Sequence, residues 1–290
     1  MTAYGAWAWP EGDPPRKLAD RIRRETDPTD AVTILGFPDD AGVVMNGGRA
    51  GAADGPRAFR GALLRYGTAR PAGFQWPGVV DAGDVEPAET LTETHRRASE
   101  ASGRLVEGGA LPVGIGGGHD FTYALVRGVA QGLDEPLTGI YLDAHLDVRP
   151  TEGSGMSFRR LVDEGHVGEL HVHGLDPYAT SPDHLAWFTD HGGDVGAFGP
   201  EDPWPKGPLF VSIDLDALDQ AFAPGVSAAN PCGLTPREVE AWARAAGRHP
   251  GVRCFDLMEL SPRWDQGGRT ARLAARLFLA FLHGVAERAP

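Results

Sequence analysis

Seven apolar runs are continuous rather than alternating: AVTILGF (31–37), GVVDAGD (78–84), LPVGIG (111–116), TGIYLDA (138–144), ELHVHGL (169–175), PLFVSIDLD (208–216) and GVRCFDLMEL (251–260). A strand with one face in water alternates apolar and polar residues, whereas a continuous run is apolar on both faces. Such strands belong in a parallel sheet covered on both sides. Helical patterns separate them: LADRIRRET, GPRAFRGALLRYG, LTETHRRASEASGRLVEGG, FTYALVRGVAQG, TPREVEAWARAAGRHP and TARLAARLFLAFLHGVAER. Thr235 stands three places before Glu238 with proline between them at the first helical position, a capping-box spacing. The alternation predicts an α/β protein with three α/β/α layers and a mostly parallel central sheet. No tandem repeat, low-complexity tract or linker divides the 290 residues, so a single domain over 1–290 is expected.

Parallel sheets bind ligands beyond the carboxyl ends of their strands. Chemically loaded residues gather at those ends here. His119 follows LPVGIG, Asp143, His145 and Asp147 follow GIYL, Asp214 and Asp216 close LFVSI, and Glu259 closes CFDLM. Residues two apart on an extended chain point the same way, so DAHLD sends three ligand-type groups to one spot. Two carboxylates there repel unless a cation or hydrogen bonds compensate. Taken alone, DAHLD also fits a polar strand end in solvent, and SIDLDALD also fits a calcium-like loop or a capped turn. Together they offer four carboxylates and two imidazoles without a thiolate, a donor set suited to a pair of Mn²⁺-type ions. GIGGGHD is not a dinucleotide loop, because His119 stands where the last glycine of that fingerprint belongs.

Composition narrows the function classes. A formal net charge of -13 argues against nucleic acid and anionic membrane surfaces as partners. Lys17 and Lys206 are the only lysines, which disfavours Schiff-base and P-loop chemistry. Cys232 and Cys254 offer no disulfide framework, so a cytoplasmic protein is expected. The N-terminal stretch does not read as a secretory signal, and LAARLFLAFLHGVAE is broken by Arg276 and His283 and reads as a packed helix.

GGGHD, DAHLD and SIDLDALDQAFAPG resemble, in order and spacing, the signature motifs of the ureohydrolase (arginase and agmatinase) superfamily. The resemblance implies the arginase-like α/β/α fold and a cofactor of two Mn²⁺ ions. It assigns His119, Asp143, Asp147 and Asp214 to one ion and Asp143, His145, Asp214 and Asp216 to the other, with Asp143 and Asp214 bridging. It implies that Asp147 moves a proton to the leaving amine and that Glu259 pairs with the amidinium or guanidinium of a small-molecule substrate. A homo-oligomer is implied as well.

Within the superfamily, arginases and agmatinases carry a histidine where SGMSFRR places Phe158. LDVRP and SGMSFRR, NGGRAGAADGPRAFR (46–60) and FAPGVSAANPCGL (222–234) look instead like formimidoylglutamase segments. N-formimidoyl-L-glutamate carries two carboxylates, which arginine binds in a bidentate fork. Arg149 and Arg159 are the expected substrate-binding cations. The expected reaction is N-formimidoyl-L-glutamate plus water to L-glutamate and formamide. The alternatives are a guanidino-acid hydrolase releasing urea and, from another class, a catalytically silent metal-binding protein on the same scaffold. Asn46 and Arg49 read equally as pocket-mouth or turn residues, Tyr178 to Ser181 as possible pocket contacts, His95 as a surface residue, and His171 and His173 as sheet residues.

Overall fold

The computed structural model describes residues 7–9, 17–23, 31–67, 69 and 74–288. Among them, nine strands form one sheet, every pairing in it parallel. They are β1 (Ile22–Arg23), β2 (Val32–Phe37), β3 (Val79–Asp84), β4 (Leu111–Gly116), β5 (Leu137–Leu142), β6 (Val167–His173), β7 (Gly193–Val195), β8 (Leu209–Asp214) and β9 (Val252–Met258). Their order across the sheet is β1-β3-β2-β4-β9-β8-β5-β6-β7. The helices are α1 (Ala41–Met45), α2 (Gly55–Leu63), α3 (Leu91–Glu107), α4 (Asp120–Leu133), α5 (Ser157–Asp163), α6 (Pro182–Asp190), α7 (Pro236–Arg248) and α8 (Arg269–Ala286).

The continuous apolar runs feed two cores. Ile34, Ile140, Val211 and Phe255 pack on one face of the sheet with α2, α7 and α8. Their chain neighbours Leu35, Tyr141, Phe210 and Cys254 pack on the other with α3, α4, α5 and α6. Period-two alternation is therefore present, but both faces are apolar, and this produces the three layers. α7 begins with the expected capping box, Thr235 accepting from the Glu238 N–H and Glu238 from the Thr235 N–H.

Two expectations are corrected. LADRIRRET is not a helix in its described part: Leu18–Arg21 form a 3-10 turn and Ile22–Arg23 pair with β3. Buried Leu18, Ala19 and Ile22 fit that strand edge as well as a helical face; residues 24–26 lie outside the described residues. His95 is not a surface residue. It is 1% exposed, because Leu91, Thr94, His95 and Ala98 share the inward stripe of α3. Its Nε2 lies 2.6 Å from Asp120 Oδ2 in the GGGHD turn.

Candidate active site

Four consecutive central strands, β4, β9, β8 and β5, carry the candidate residues at their carboxyl ends. His119 leaves β4 at the start of α4, in a turn held by hydrogen bonds from the Gly117 N–H to Phe37 O and from the Gly118 N–H to Asp39 O. Asp143, His145 and Asp147 follow β5, Asp214 ends β8 with Asp216 in the next turn, and Glu259 follows β9. Asp147 (φ 48°) and Glu259 (φ 65°) adopt left-handed backbone, which costs a residue with a side chain on the order of 1–3 kcal/mol. This geometry occurs at two of the positions singled out for chemistry.

The donor atoms converge. His119 Nδ1 lies 3.1 Å from Asp143 Oδ2, 2.9 Å from Asp147 Oδ2 and 3.2 Å from Asp214 Oδ2. His145 Nδ1 lies 3.2 Å from Asp143 Oδ1 and 3.3 Å from Asp216 Oδ2. Despite the short distances, His119 Nδ1, Asp143 Oδ2 and Asp216 Oδ1 have no aligned hydrogen-bond partner although all are buried. Buried polar atoms seldom stay unpartnered. Close but unbonded donor atoms of this kind are what groups able to hold an ion present. Two groups result, His119–Asp143–Asp214 and Asp143–His145–Asp216, sharing Asp143. The oxygen and imidazole donors fit a hard-to-borderline divalent pair.

The charges agree. Burial disfavours imidazolium, yet the crowding carboxylates of Asp143, Asp147 and Asp214 raise His119 well above its usual range. Burial is likewise outweighed at His145, which Asp143 and Asp216 push up to about 12. Burial and the Asp143 charge lift Asp147 to about 6. Burial, with the charges of Asp214 and Asp143, raises Asp216 well above the carboxylate range. The carboxylates thus favour positive charge at both imidazoles. Metal ions answer the same demand and displace protons from those rings.

Supporting side chains orient the ligands. Ser212 Oγ donates to Asp256 Oδ1 (2.6 Å) and stands 3.0 Å from His119 Nε2. Thr122 Oγ1 donates to Asp256 Oδ2 at 3.0 Å. With its proton on Asp256, the serine oxygen accepts from Nε2–H, leaving Nδ1 as the ligand atom; this tautomer is assigned from the hydrogen bonds. Sequence reasoning missed Ser212 and Asp256. Ser212 lies two residues before Asp214 and opposite Asp256 in the β8–β9 register, so an aspartate inside the apolar run VRCFDLM was the available signal.

A cavity of about 130 Å³ opens onto the cluster, lined by His145, Asp147, Glu259, Arg149, Asn46 and Ser154 among others. Glu259 Oε1 accepts from the His119 N–H at 3.0 Å, while the buried Oε2 has no partner. The Arg149 guanidinium has no hydrogen-bond or ion-pair partner among the described residues, and its backbone N–H bonds to Gly155 O. Arg159 does not line this cavity. Its guanidinium lies 4.8 Å from the Trp187 ring and 3.5 Å from Asp163, because position 159 on α5 faces α6 rather than the strand ends. Phe158 is fully buried, stacked 3.8 Å from Tyr141 and edge-on to His119. Tyr178 is 98% exposed, and residues 178–181 do not line the cavity.

A parallel sheet whose central strand ends gather two carboxylate–imidazole groups able to hold metal ions is what a hydrolase of the arginase type presents, and the chain belongs to the arginase family, matching it over residues 30–193 and 201–284. It is a hydrolase acting on amidines. The chain is 34% identical to the formimidoylglutamase of Halobacterium salinarum over 281 residues, 90% of this chain and 89% of that protein. It is also 34% identical to the proclavaminate amidinohydrolase of Streptomyces clavuligerus, covering 88% of each. A crystal structure of Trypanosoma cruzi formiminoglutamase with Mn²⁺ matches at a TM-score of 0.87 and 31% identity, covering 95% of this chain and 99% of that one. A silent scaffold protein is thereby set aside.

Proposed function

We propose that the chain hydrolyses N-formimidoyl-L-glutamate to L-glutamate and formamide with a pair of Mn²⁺ ions. The observation that carries this reading is the unpaired Arg149 guanidinium on the same cavity as the ligand groups and Glu259. A cation left without a partner beside so many carboxylates is suited to an anionic ligand. His119, Asp143, Asp147, Asp214, His145 and Asp216 would hold the ions. When bound, the metal pair supplies Lewis acidity and lowers the pKa of water.

The remaining steps belong to the chain. Glu259 Oε2 pairs with the amidinium, whose parallel N–H groups complement one carboxylate. Arg149 takes a carboxylate of the glutamyl tail and fixes the amidine carbon over the cluster. Water adds its oxygen to that carbon. Asp147 accepts a proton from the water and delivers it to the glutamyl nitrogen as the C–N bond breaks, leaving formamide. The two unbridged cysteines, Cys232 and Cys254, support a cytoplasmic setting.

The name of the Streptomyces relative favours a second reading, removal of an amidino group as urea from a guanidino acid. The two separate by product. Mn²⁺-loaded protein is given N-formimidoyl-L-glutamate, arginine, agmatine and short guanidino acids, with formamide and urea scored separately. Formamide and glutamate from the first substrate are expected. Urea from a guanidino acid alone would overturn the formimidoyl reading.

A further inference from the structure

The segment Asn46–Arg49 follows α1 and supplies neither a metal ligand nor a charge to the cluster, yet it touches the cavity wall on two sides. Assigned from its hydrogen-bonding surroundings, the Asn46 carboxamide turns its oxygen to accept from the Gly155 N–H (2.6 Å) and the Ser154 N–H (3.2 Å). Gly153 has φ 144°, and a Cβ there would come within 2.2 Å of that carboxamide. Gly155 O in turn accepts from the Arg149 N–H at 2.7 Å. Asn46 therefore moulds the loop that carries Arg149 and Ser154.

Arg49 grips the opposite wall. Its N–H donates to Ser227 Oγ (2.8 Å), Nε–H to Ser227 O (2.9 Å) and one Nη to Val226 O (2.8 Å). A Cβ at Gly48 would fall 2.6 Å from Ser227 Oγ, so glycine there permits the approach. The same guanidinium lies 4.5 Å from the Trp264 ring, and Trp264 Nε1–H donates to Ala50 O at 3.0 Å. Loops after β5, β8 and β9 thus meet on one short segment. Ser154, Gly155 and Ser227 line the cavity together with Asn46 and Gly48.

We propose that Asn46 and Arg49 form a clasp that positions the cavity wall around the carboxylate-bearing tail of the substrate, setting specificity without contacting the reacting atoms. Hydrogen bonds hold Arg149 and Ser154 on one side and Ser227 on the other at fixed separation. Loosening either side moves the tail rather than the metal cluster. The proposal rests on reading this cavity as the amidine site, so its test includes a readout that needs no substrate.

The experiment combines hydrogen exchange by mass spectrometry on Mn²⁺-loaded protein with kinetics, using wild type, Asn46→Ala, Asn46→Asp and Arg49→Met. Asn46→Ala is expected to speed exchange at 153–156, and Asn46→Asp, which keeps an acceptor, to restore protection. Arg49→Met is expected to speed exchange at 226–228. For N-formimidoyl-L-glutamate, KM rises about 10-fold in Asn46→Ala, equivalent to about 1.4 kcal/mol, and by more than kcat falls. KM for formamidine, which has no tail, changes less. Unchanged exchange in both loops overturns the clasp whatever the substrate proves to be. Faster exchange with unchanged KM overturns its role in specificity, and loss of bound Mn²⁺ in Asn46→Ala would assign the segment to the metal instead. Wild type that turns over no carboxylate-bearing amidine would overturn the proposed reaction, while the exchange data would still decide the clasp.

Discussion

Two histidine pairs on the same sheet meet opposite fates. His119 and His145 face carboxylate oxygens 2.9 to 3.3 Å away, and these carboxylates override burial and raise both. His171 and His173 sit on β6, beside β5, and face rings: His173 is 4.2 Å from Trp242 and 5.2 Å from Phe198, and His171 is 5.1 Å from Phe198. Burial, with the neighbouring His171, lowers His173 to about 4. An apolar wall keeps an imidazole neutral, while a carboxylate shell makes it a seat for a cation. What separates them is converging buried carboxylates: DAHLD meets Asp214 and Asp216 from the next strand end, whereas the acid one strand-period from His171, Glu169, is 3.9 Å away and largely exposed.

The largest test of this contrast is Asp214→Ala. It removes an oxygen near His119 Nδ1 and should lower metal content and reduce kcat/KM by more than about 10³-fold, beyond the 10–100-fold typical of outer partners. A variant with full metal content and activity would erase the distinction. Ser212→Ala removes the partner of His119 Nε2 and is expected to weaken Mn²⁺ binding about 10–100-fold with the fold intact, measured by calorimetric titration.

Protons and metal compete for the same donors, so Mn²⁺ affinity should fall as pH drops from 8 to 5. Asp147, at about 6, contributes within that window, and His145, at about 12 without metal, releases a proton at every pH in it. Affinity independent of pH would contradict the carboxylate–imidazole cluster as the metal locus.

The aromatic pair acts on stability rather than on metal or turnover, with its own sign. The folded-state pKa of His173, about 4, lies below an unfolded value near 6.5, so the unfolded chain binds the proton first. Stability conferred by the neutral ring is present above 6.5 and lost as pH falls towards 4, by about 2–3 kcal/mol. His173→Phe should flatten that part of the denaturation profile. An unaltered slope would mean that the ring wall does not hold His173 neutral.

Much of this was legible in the sequence because it depends on period and spacing. Seven of the nine described strands follow from apolar runs, and the site residues from the four of those runs that end in ligand-type groups. β1 and β7, two and three residues long, are too short to carry a pattern. Long-range pairing was not legible either. Arg149 and Arg159 look alike as neighbours of DAHLD, and only folding sends one to the cavity and the other onto Trp187. His95 was misread because the stripe that buries it includes the polar Thr94 and Ser102.

The measurement closest to the central claim is Mn²⁺ stoichiometry with electron paramagnetic resonance on the purified chain and its Asp143→Ala variant. Two ions per chain with a spin-coupled spectrum, lost when the shared Asp143 is removed, is the predicted result. One isolated Mn²⁺ signal, or a coupled pair that survives Asp143→Ala, would contradict it.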